Sequence, residues 1–276
     1  MPELPEVETV RRTLIELVTG KTIENIQIHW PKIIKAPEEQ QQFIDALRGQ
    51  TIRDVGRRGK FLIFGLDDYA LVSHLRMEGK YGLFPGEEPY DKHTHVIFMF
   101  SDGSELRYRD VRKFGTMHLF KRGEELLHPP LLHLGPEPIS NEFTVEYLSG
   151  RLAKTSRKIK PVLLDQNVVV GIGNIYVDEA LFRAGIHPER IASHLNDDEI
   201  KRLHKEIVLT LTEAIEKGGS TIRSYVNSQG KTGSFQLELN VYGRKGENCN
   251  ICSTPLMKLT VGGRGTHICP ACQTLE

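Results

Sequence analysis

At 276 residues with 39% hydrophobic content, the chain is long enough to bury a sizeable core and to form about two domains. Its 36 basic and 36 acidic side chains cancel to a formal net charge of zero, which argues against polyanion binding driven by overall charge and leaves a local basic surface as the route to nucleic acid. No apolar run is long enough to span a bilayer, and Glu3, Glu6 and Glu8 stand where a secretion signal would be basic and then apolar, so a cytoplasmic chain is expected.

The chain opens with Pro2-Glu3-Leu4-Pro5. Pro2 is small enough that removal of Met1 is expected, leaving a secondary amine. Such an amine titrates well below a lysine and so is far more often neutral at pH 7. It can attack an acetal-like carbon and pass to an iminium, with Glu3 supplying or removing the proton. The same residues also suit a plain helix start, with Pro5 in the first turn and Glu3, Glu6 and Glu8 at the positive end of the dipole. Val7, Val10, Leu14 and Leu17 continue that helix at the right spacing to about residue 18. Short alternating runs follow at 22–29, 60–66, 69–74, 95–100, 105–109 and 116–120, separated by turns rich in Gly and Asp, and predict a β-sandwich or barrel. Basic residues gather at Arg53, Arg57, Arg58 and Lys60, at Arg107, Arg109, Arg112 and Lys113, and at Arg151, Lys154, Arg157, Lys158 and Lys160. Each cluster alone reads as a solvated face; together they would make a basic groove.

A proline-rich stretch interrupts the pattern, and residues 133–140 are expected to be a hinge between a domain at 1–132 and a helical domain at 141–246. Helices are predicted at 144–152, 159–164, 173–184 and 197–217. Gly171-Ile172-Gly173-Asn174 opens the third of these. A helix N-terminus with an asparagine donor can seat a phosphate, or it can be a turn with a cap. It lacks the full nucleotide-binding fingerprint. The last segment, 247–276, carries every cysteine of the chain: Cys249 and Cys252, then sixteen residues, then Cys269 and Cys272. Two such pairs joined by a hairpin-length spacer predict a closed, structural four-cysteine zinc site. Within the spacer, 256–261 alternates like a strand and runs into Gly262-Gly263-Arg264-Gly265-Thr266. Arg264 is placed either to press on a phosphate or to stand as an exposed turn residue.

Six segments, taken in order, resemble the bacterial formamidopyrimidine-DNA glycosylases, also called 8-oxoguanine DNA glycosylases. They are Pro2-Glu3-Leu4-Pro5-Glu6-Val7-Glu8-Thr9, Arg57-Arg58-Gly59-Lys60, His74-Leu75-Arg76-Met77-Glu78-Gly79, Arg109-Asp110-Val111-Arg112-Lys113-Phe114-Gly115, the turn from Gly171 to Asp178, and the four-cysteine hairpin. The resemblance implies an α+β multidomain fold: an N-terminal β-sandwich with an N-terminal helix, then a helix-two-turn-helix domain with a zinc hairpin. It implies a base-excision repair glycosylase that removes oxidised purines through a proline Schiff base and cuts the strand by β,δ-elimination, as an AP lyase. Pro2 would be the nucleophile and Glu3 the proton carrier, with Glu6 placing a water or the amine. Lys60, Asn174 and Arg264 would grip phosphates, with His93 and Lys160 as further contacts. Met77, Arg112 and Phe114 would fill the space left by the extruded base. A lid at 218–225 would bring Ser220, Thr221, Arg223, Ser224 and Tyr225 to the lesion, with Glu78 facing the same base. The expected cofactor is one structural zinc ion. The expected partner is damaged double-stranded DNA, met by a monomer at the nucleoid with no membrane and no small-molecule cofactor. Endonuclease VIII, which acts on oxidised pyrimidines, shares the amine, the turn and the hairpin, but the Met77, Arg112 and Phe114 set favours the purine enzymes. A non-catalytic zinc DNA-binding protein would explain only the basic clusters and the hairpin.

Overall fold

The computed structural model describes residues 1–220 and 233–275. The chain divides into a first unit, built on Met1–His133 and joined by Ser220, and a second, Leu134–Gly219 with the chain from Ser234 onward.

The first unit starts with α1 (Leu4–Val18), capped by Glu3 in a capping box with Glu6 and carrying proline in its first turn. Its buried stripe is Val7, Val10, Leu14 and Val18, spaced for one helical face. Nine strands follow. β1 (Ile23–Ile28), β7 (Thr94–Phe100), β8 (Ser104–Arg109) and β6 (Lys80–Pro85) form one sheet in that order. β2 (Ile34–Ala36), β9 (Thr116–Lys121), β5 (Tyr69–His74), β4 (Phe61–Gly65) and β3 (Asp54–Arg58) form the other. All pairings are antiparallel except the short one between β2 and β9. Side chains from both sheets, such as Ile26, Phe98 and Leu106 against Leu62, Leu71 and Met117, share one core with α1 and with Phe43 and Leu47 of α2 (Gln40–Leu47). This is the expected sandwich with its N-terminal helix.

The sandwich contains elements the alternating runs do not announce. β3 is charged at its ends and reads as part of a basic cluster. β6 is interrupted by Gly82 and ends in Pro85. β2 is three residues long, and α2 is a short glutamine-rich helix whose stripe, Phe43, Ile44 and Leu47, spans little more than one turn.

The second unit is helical: α3 (Val145–Leu152), α4 (Ile159–Leu164), α5 (Asn174–Ala184) and α6 (Asp197–Glu216). α5 is buried nearly all round, from Tyr176 to Phe182, as a central helix must be. It ends on Gly185 at φ +69°, the left-handed cap glycine accommodates. α6 begins with a capping box between Asn196 and Glu199 and lays Ile200, Leu203, Ile207, Leu211 and Ala214 inward. The hairpin of β10 (Met257–Val261) and β11 (Arg264–Ile268) closes the unit. Among the described residues no helix is long and apolar enough to cross a membrane.

The basic clusters are largely neutralised residue by residue. Arg53 pairs with Asp67 at 2.6 Å, Arg57 with Glu8 at 3.1 Å, and the buried Arg107 with the buried Glu105 at 2.8 Å. Arg109 meets Asp91, Lys158 meets Glu189, and Arg157 lies 3.0 Å from Asp165. The charge balance of the chain is therefore also a local balance around most of these side chains.

Glu8 shows what such pairing does for α1. Its carboxylate takes hydrogen bonds from Arg11 at 2.7 and 2.9 Å, Arg12 at 2.9 Å and, from β3, Arg57 at 3.1 Å. Burial alone would raise its pKa, but the hydrogen bonds and charge of Arg11, with Arg12 and Arg57, outweigh it and hold the group at about 2 instead of 4.5. Because the folded value is depressed, the stabilisation is complete above about 4.5 and is lost as pH falls towards 2. We expect Glu8→Gln to cost on the order of 2 kcal/mol at pH 7 in urea unfolding, and the gap from the unsubstituted protein to close across that acid window.

Candidate active site and nucleic-acid surfaces

The N-terminal turn is enclosed. Pro2 and Glu3 are buried, while Met1 is half exposed. Glu6 Oε2 accepts the Glu3 N–H at 2.8 Å, and Glu6 Oε1 accepts the Ser220 N–H at 2.8 Å and lies 3.4 Å from the Ser220 hydroxyl. One buried carboxylate thus ties the start of α1 to Ser220 of the expected lid. The positive end of the α1 dipole falls on the same turn. Glu3 and Glu6 place their carboxylates at that end, where negative charge suits the dipole.

Lys60 sits at the tip of the β3–β4 hairpin, in a two-residue turn with Gly59, whose φ of +55° is the left-handed conformation such a turn needs. Lys60 is largely buried, and its ammonium faces His74 closely enough to oppose a second charge there. Burial first, then Arg76 and Lys60, push the His74 imidazole down to about 3. His74 Nδ1 accepts the Arg76 N–H at 2.9 Å, which leaves the proton of the neutral ring on Nε2 as a donor. His74 belongs to a motif quoted above, yet nothing in its spacing marks it as a site residue; only its burial beside Lys60 does.

Met77 and Glu78 lie in the turn after β5, Met77 half-buried and Glu78 exposed. Arg112 and Phe114 stand in the loop after β8, both exposed, with the guanidinium 4.9 Å from the phenyl centroid. An exposed arginine stacked on an exposed ring is pre-organised to enter an aromatic stack. Asp110 shapes this loop: its carboxylate accepts the N–H groups of Arg112 at 3.0 Å, Phe114 at 2.9 Å and Gly115 at 2.8 Å. His93 borders it, half-buried, with its carbonyl accepting the Asp110 N–H at 3.0 Å.

In the second unit the four cysteine sulfurs lie within 4.8 Å of one another. The Cys249–Cys272, Cys252–Cys269 and Cys252–Cys272 distances are 3.9, 3.4 and 3.5 Å. Sulfurs about 2.3 Å from a central ion at tetrahedral corners stand roughly 3.8 Å apart. The four cysteines fit one structural zinc ion, with no open position for chemistry. The hairpin they staple turns at Gly262 and Gly263, at φ +56° and +75°, the pair of left-handed residues that a tight two-residue hairpin requires. Arg264 is the exposed residue that follows. Asn174, first residue of α5, donates to the Gly265 carbonyl at 2.8 Å, so the helix N-terminus is fastened beside Arg264.

Lys160 corrects an expectation. It is no surface contact for phosphate: its side chain is fully buried, and Nζ lies 2.7 Å from Asp178 Oδ1, 2.8 Å from the Thr266 hydroxyl and 3.2 Å from the Gly265 carbonyl. Asp178 Oδ2 accepts the His267 N–H at 2.9 Å. The pair is an internal clasp joining α4, α5 and β11, and its charge is spent inside the fold. Of the expected lid residues, Ser220 is described and buried, whereas Thr221, Arg223, Ser224 and Tyr225 lie outside the described residues.

A β-sandwich that opens on a buried N-terminal turn with carboxylates, and a helical unit closed by a four-cysteine hairpin, are the architecture of a DNA glycosylase. Residues 1–117 match the family model of the formamidopyrimidine-DNA glycosylase N-terminal domain, 134–226 that of its H2TH domain, and 246–275 a zinc finger found in FPG and IleRS. The chain is 67% identical over 273 residues to formamidopyrimidine-DNA glycosylase of Bacillus licheniformis, with 99% of each chain covered. It is 65% identical over 274 residues to that of Bacillus subtilis, again with 99% of each covered. Among solved structures, Lactococcus lactis Fpg in complex with DNA containing N7-benzyl-Fapy-dG matches with a TM-score of 0.93 at 45% identity, covering 99% of this chain and all of that one. The same enzyme bound to DNA containing an abasic site matches equally well, with a TM-score of 0.93. The chain belongs to the formamidopyrimidine-DNA glycosylase family.

Two outcomes check these assignments. Metal analysis should find one zinc per chain, with chelation loosening the terminal hairpin before the sandwich melts. Lys160→Met should destabilise the protein by about 3–5 kcal/mol by leaving Asp178 buried and unpaired, while the salt dependence of DNA binding by the protein that remains folded stays as it was.

Proposed function

We propose that this protein excises oxidised purines from duplex DNA and then cuts the strand at the emptied sugar, using the amine of Pro2 once Met1 is removed. The observation that carries the reading is the enclosed N-terminal turn, where Pro2 adjoins Glu3 and Glu6 at the positive end of α1. The neutral amine attacks C1′ of the lesion nucleotide as the C1′–N bond to the base breaks, and the base leaves with a proton. Glu3 protonates the ring oxygen as the sugar opens, and the nitrogen lone pair forms the iminium. Loss of a C2′ proton then expels the 3′ phosphate, and a second elimination expels the 5′ phosphate. Glu6 holds the turn in place through the Glu3 N–H and the Ser220 N–H.

Lys60 and Arg264 supply positive charge, Asn174 a neutral donor, and His74 a second neutral donor, to the phosphates flanking the extruded nucleotide. Met77 and Phe114 occupy the vacated stack, and Arg112 donates to the orphaned cytosine. His93 borders the same loop and Glu78 stands in the Met77 turn, each placed to meet the strand. The zinc ion would keep β10 and β11 together and so present Arg264; it takes no part in the bond changes. The protein would act on DNA in the cytoplasm, as a monomer.

Single-turnover excision should be much faster from a duplex with 8-oxoguanine opposite cytosine than from one with an oxidised pyrimidine; the reverse order would overturn the purine assignment. A chain with an uncleaved N-terminal extension, which keeps the proline nitrogen in a peptide bond, should lose excision by on the order of a thousandfold or more while still binding lesion duplex. Arg264→Ala should weaken binding and lower the slope of log K against log salt by about 1, read by titration at several salt concentrations.

A further inference from the structure

The residues that would fill the vacated stack sit on two separate crossovers between the sheets. Met77 lies between β5 of the five-stranded sheet and β6 of the other, and Arg112 and Phe114 lie between β8 and β9, crossing back. Extrusion needs their tips held at a fixed spacing. Tyr108, near the end of β8, is fully buried, with its ring 5.1 Å from that of Tyr81. Its hydroxyl projects between the two crossovers. At both Gly79 and Gly115 an added Cβ would meet that hydroxyl first, inside any real contact distance, and would stand 2.9 and 2.7 Å from its ring carbon Cζ. Neither glycine has a left-handed φ, so the conformation would admit a side chain; the phenol oxygen is the nearest atom that excludes one, joined at Gly79 by the Leu75 carbonyl oxygen at 2.6 Å.

The same hydroxyl donates to Asp110 Oδ2 at 3.4 Å, the oxygen that also accepts from Phe114 and Gly115. The far side of Asp110 is fixed as well, its carbonyl lying 2.7 Å from His95 Nε2. Burial, then the charge of Asp110, keep the Tyr108 phenol far above its ordinary range, so it remains a donor. In the other crossover, the Gly79 N–H closes the turn on the Leu75 carbonyl at 2.9 Å, while Arg76 takes a φ of +53°. Each crossover is thus held by its own hydrogen bonds, and the phenol oxygen stands against both.

We propose that Tyr108 is a positioning residue: its hydroxyl, acting with Asp110, spaces the Met77 turn from the Arg112–Phe114 loop and thereby sets lesion extrusion and preference for the opposite base. This rests on the proposed role of Met77, Arg112 and Phe114 in the vacated stack.

The test compares Tyr108→Phe and Asp110→Asn with the unsubstituted protein on three substrates: 8-oxoguanine opposite cytosine, 8-oxoguanine opposite adenine, and a single-stranded oligonucleotide carrying an abasic site. The last needs the amine but no filling of a duplex stack. Both variants should excise opposite cytosine about tenfold more slowly or worse, with the cytosine-to-adenine ratio falling towards unity and borohydride trapping on the single strand unchanged. Duplex rates and ratio like the unsubstituted protein's would overturn the proposal. So would a slowing on the single strand equal to that on the duplex, which would mean general damage. Met77→Ala and Phe114→Ala separate the two levels: if they slow duplex excision while Tyr108→Phe does not, only the spacer fails, and if they too are without effect, the underlying reading fails with it.

Discussion

The start of the chain is held still, and that constraint organises the first unit. Chain termini ordinarily fray, yet here residues 2 and 3 are buried and continue directly into α1. The capping box between Glu3 and Glu6 fixes the first turn, and Pro5 sets its backbone. Glu8 then bolts the helix to β3 through Arg57, while Val7, Val10 and Leu14 anchor it in the sandwich core. The carboxylates serve an electrostatic purpose as well: they occupy the positive end of the helix, where negative charge is stabilised. Capping and anchoring of the N-terminus are two results of one arrangement.

Charge is handled in the same economical way in both units. A neutral chain that grips a polyanion must keep a few cations for its partner and neutralise the rest. Arg107 and Lys160 lie at the buried extreme, each joined to a carboxylate inside the fold. Arg112 and Arg264 lie at the other, exposed on rigid supports: a loop shaped by Asp110 and a hairpin stapled by four cysteines. Position, more than the number of basic residues, separates these roles.

Local signals in the sequence carry most of the fold. The α1 stripe, the cysteine spacing, and the helices at 144–152, 159–164, 173–184 and 197–217 all depend on residues within a few turns of one another, and the observed elements agree to within a residue or so at either end. β3, β6 and α2 escaped because their patterns are masked by charge, by Gly82 and by glutamines. The candidate site stood out in the sequence where a residue type is unusual in its place, as with proline behind the initiator. It was not legible where partners distant in sequence decide the outcome: Lys160 reads as one more basic residue until Asp178 and Thr266 close around it, and His74 reads as a strand residue until Lys60 faces it. Tyr108 is the extreme case, since nothing near it in sequence reveals that two glycines on separate crossovers are shaped to its hydroxyl.

The claim that the proline amine performs the chemistry is tested most directly by trapping. The protein is incubated with a duplex carrying 8-oxoguanine opposite cytosine, reduced with borohydride and digested, and the crosslinked peptide is identified by mass. The account predicts a single covalent adduct on the nitrogen of Pro2 in chains that have lost Met1. An adduct on Lys60 or any other lysine, or excision of the base with no adduct at all, would contradict it.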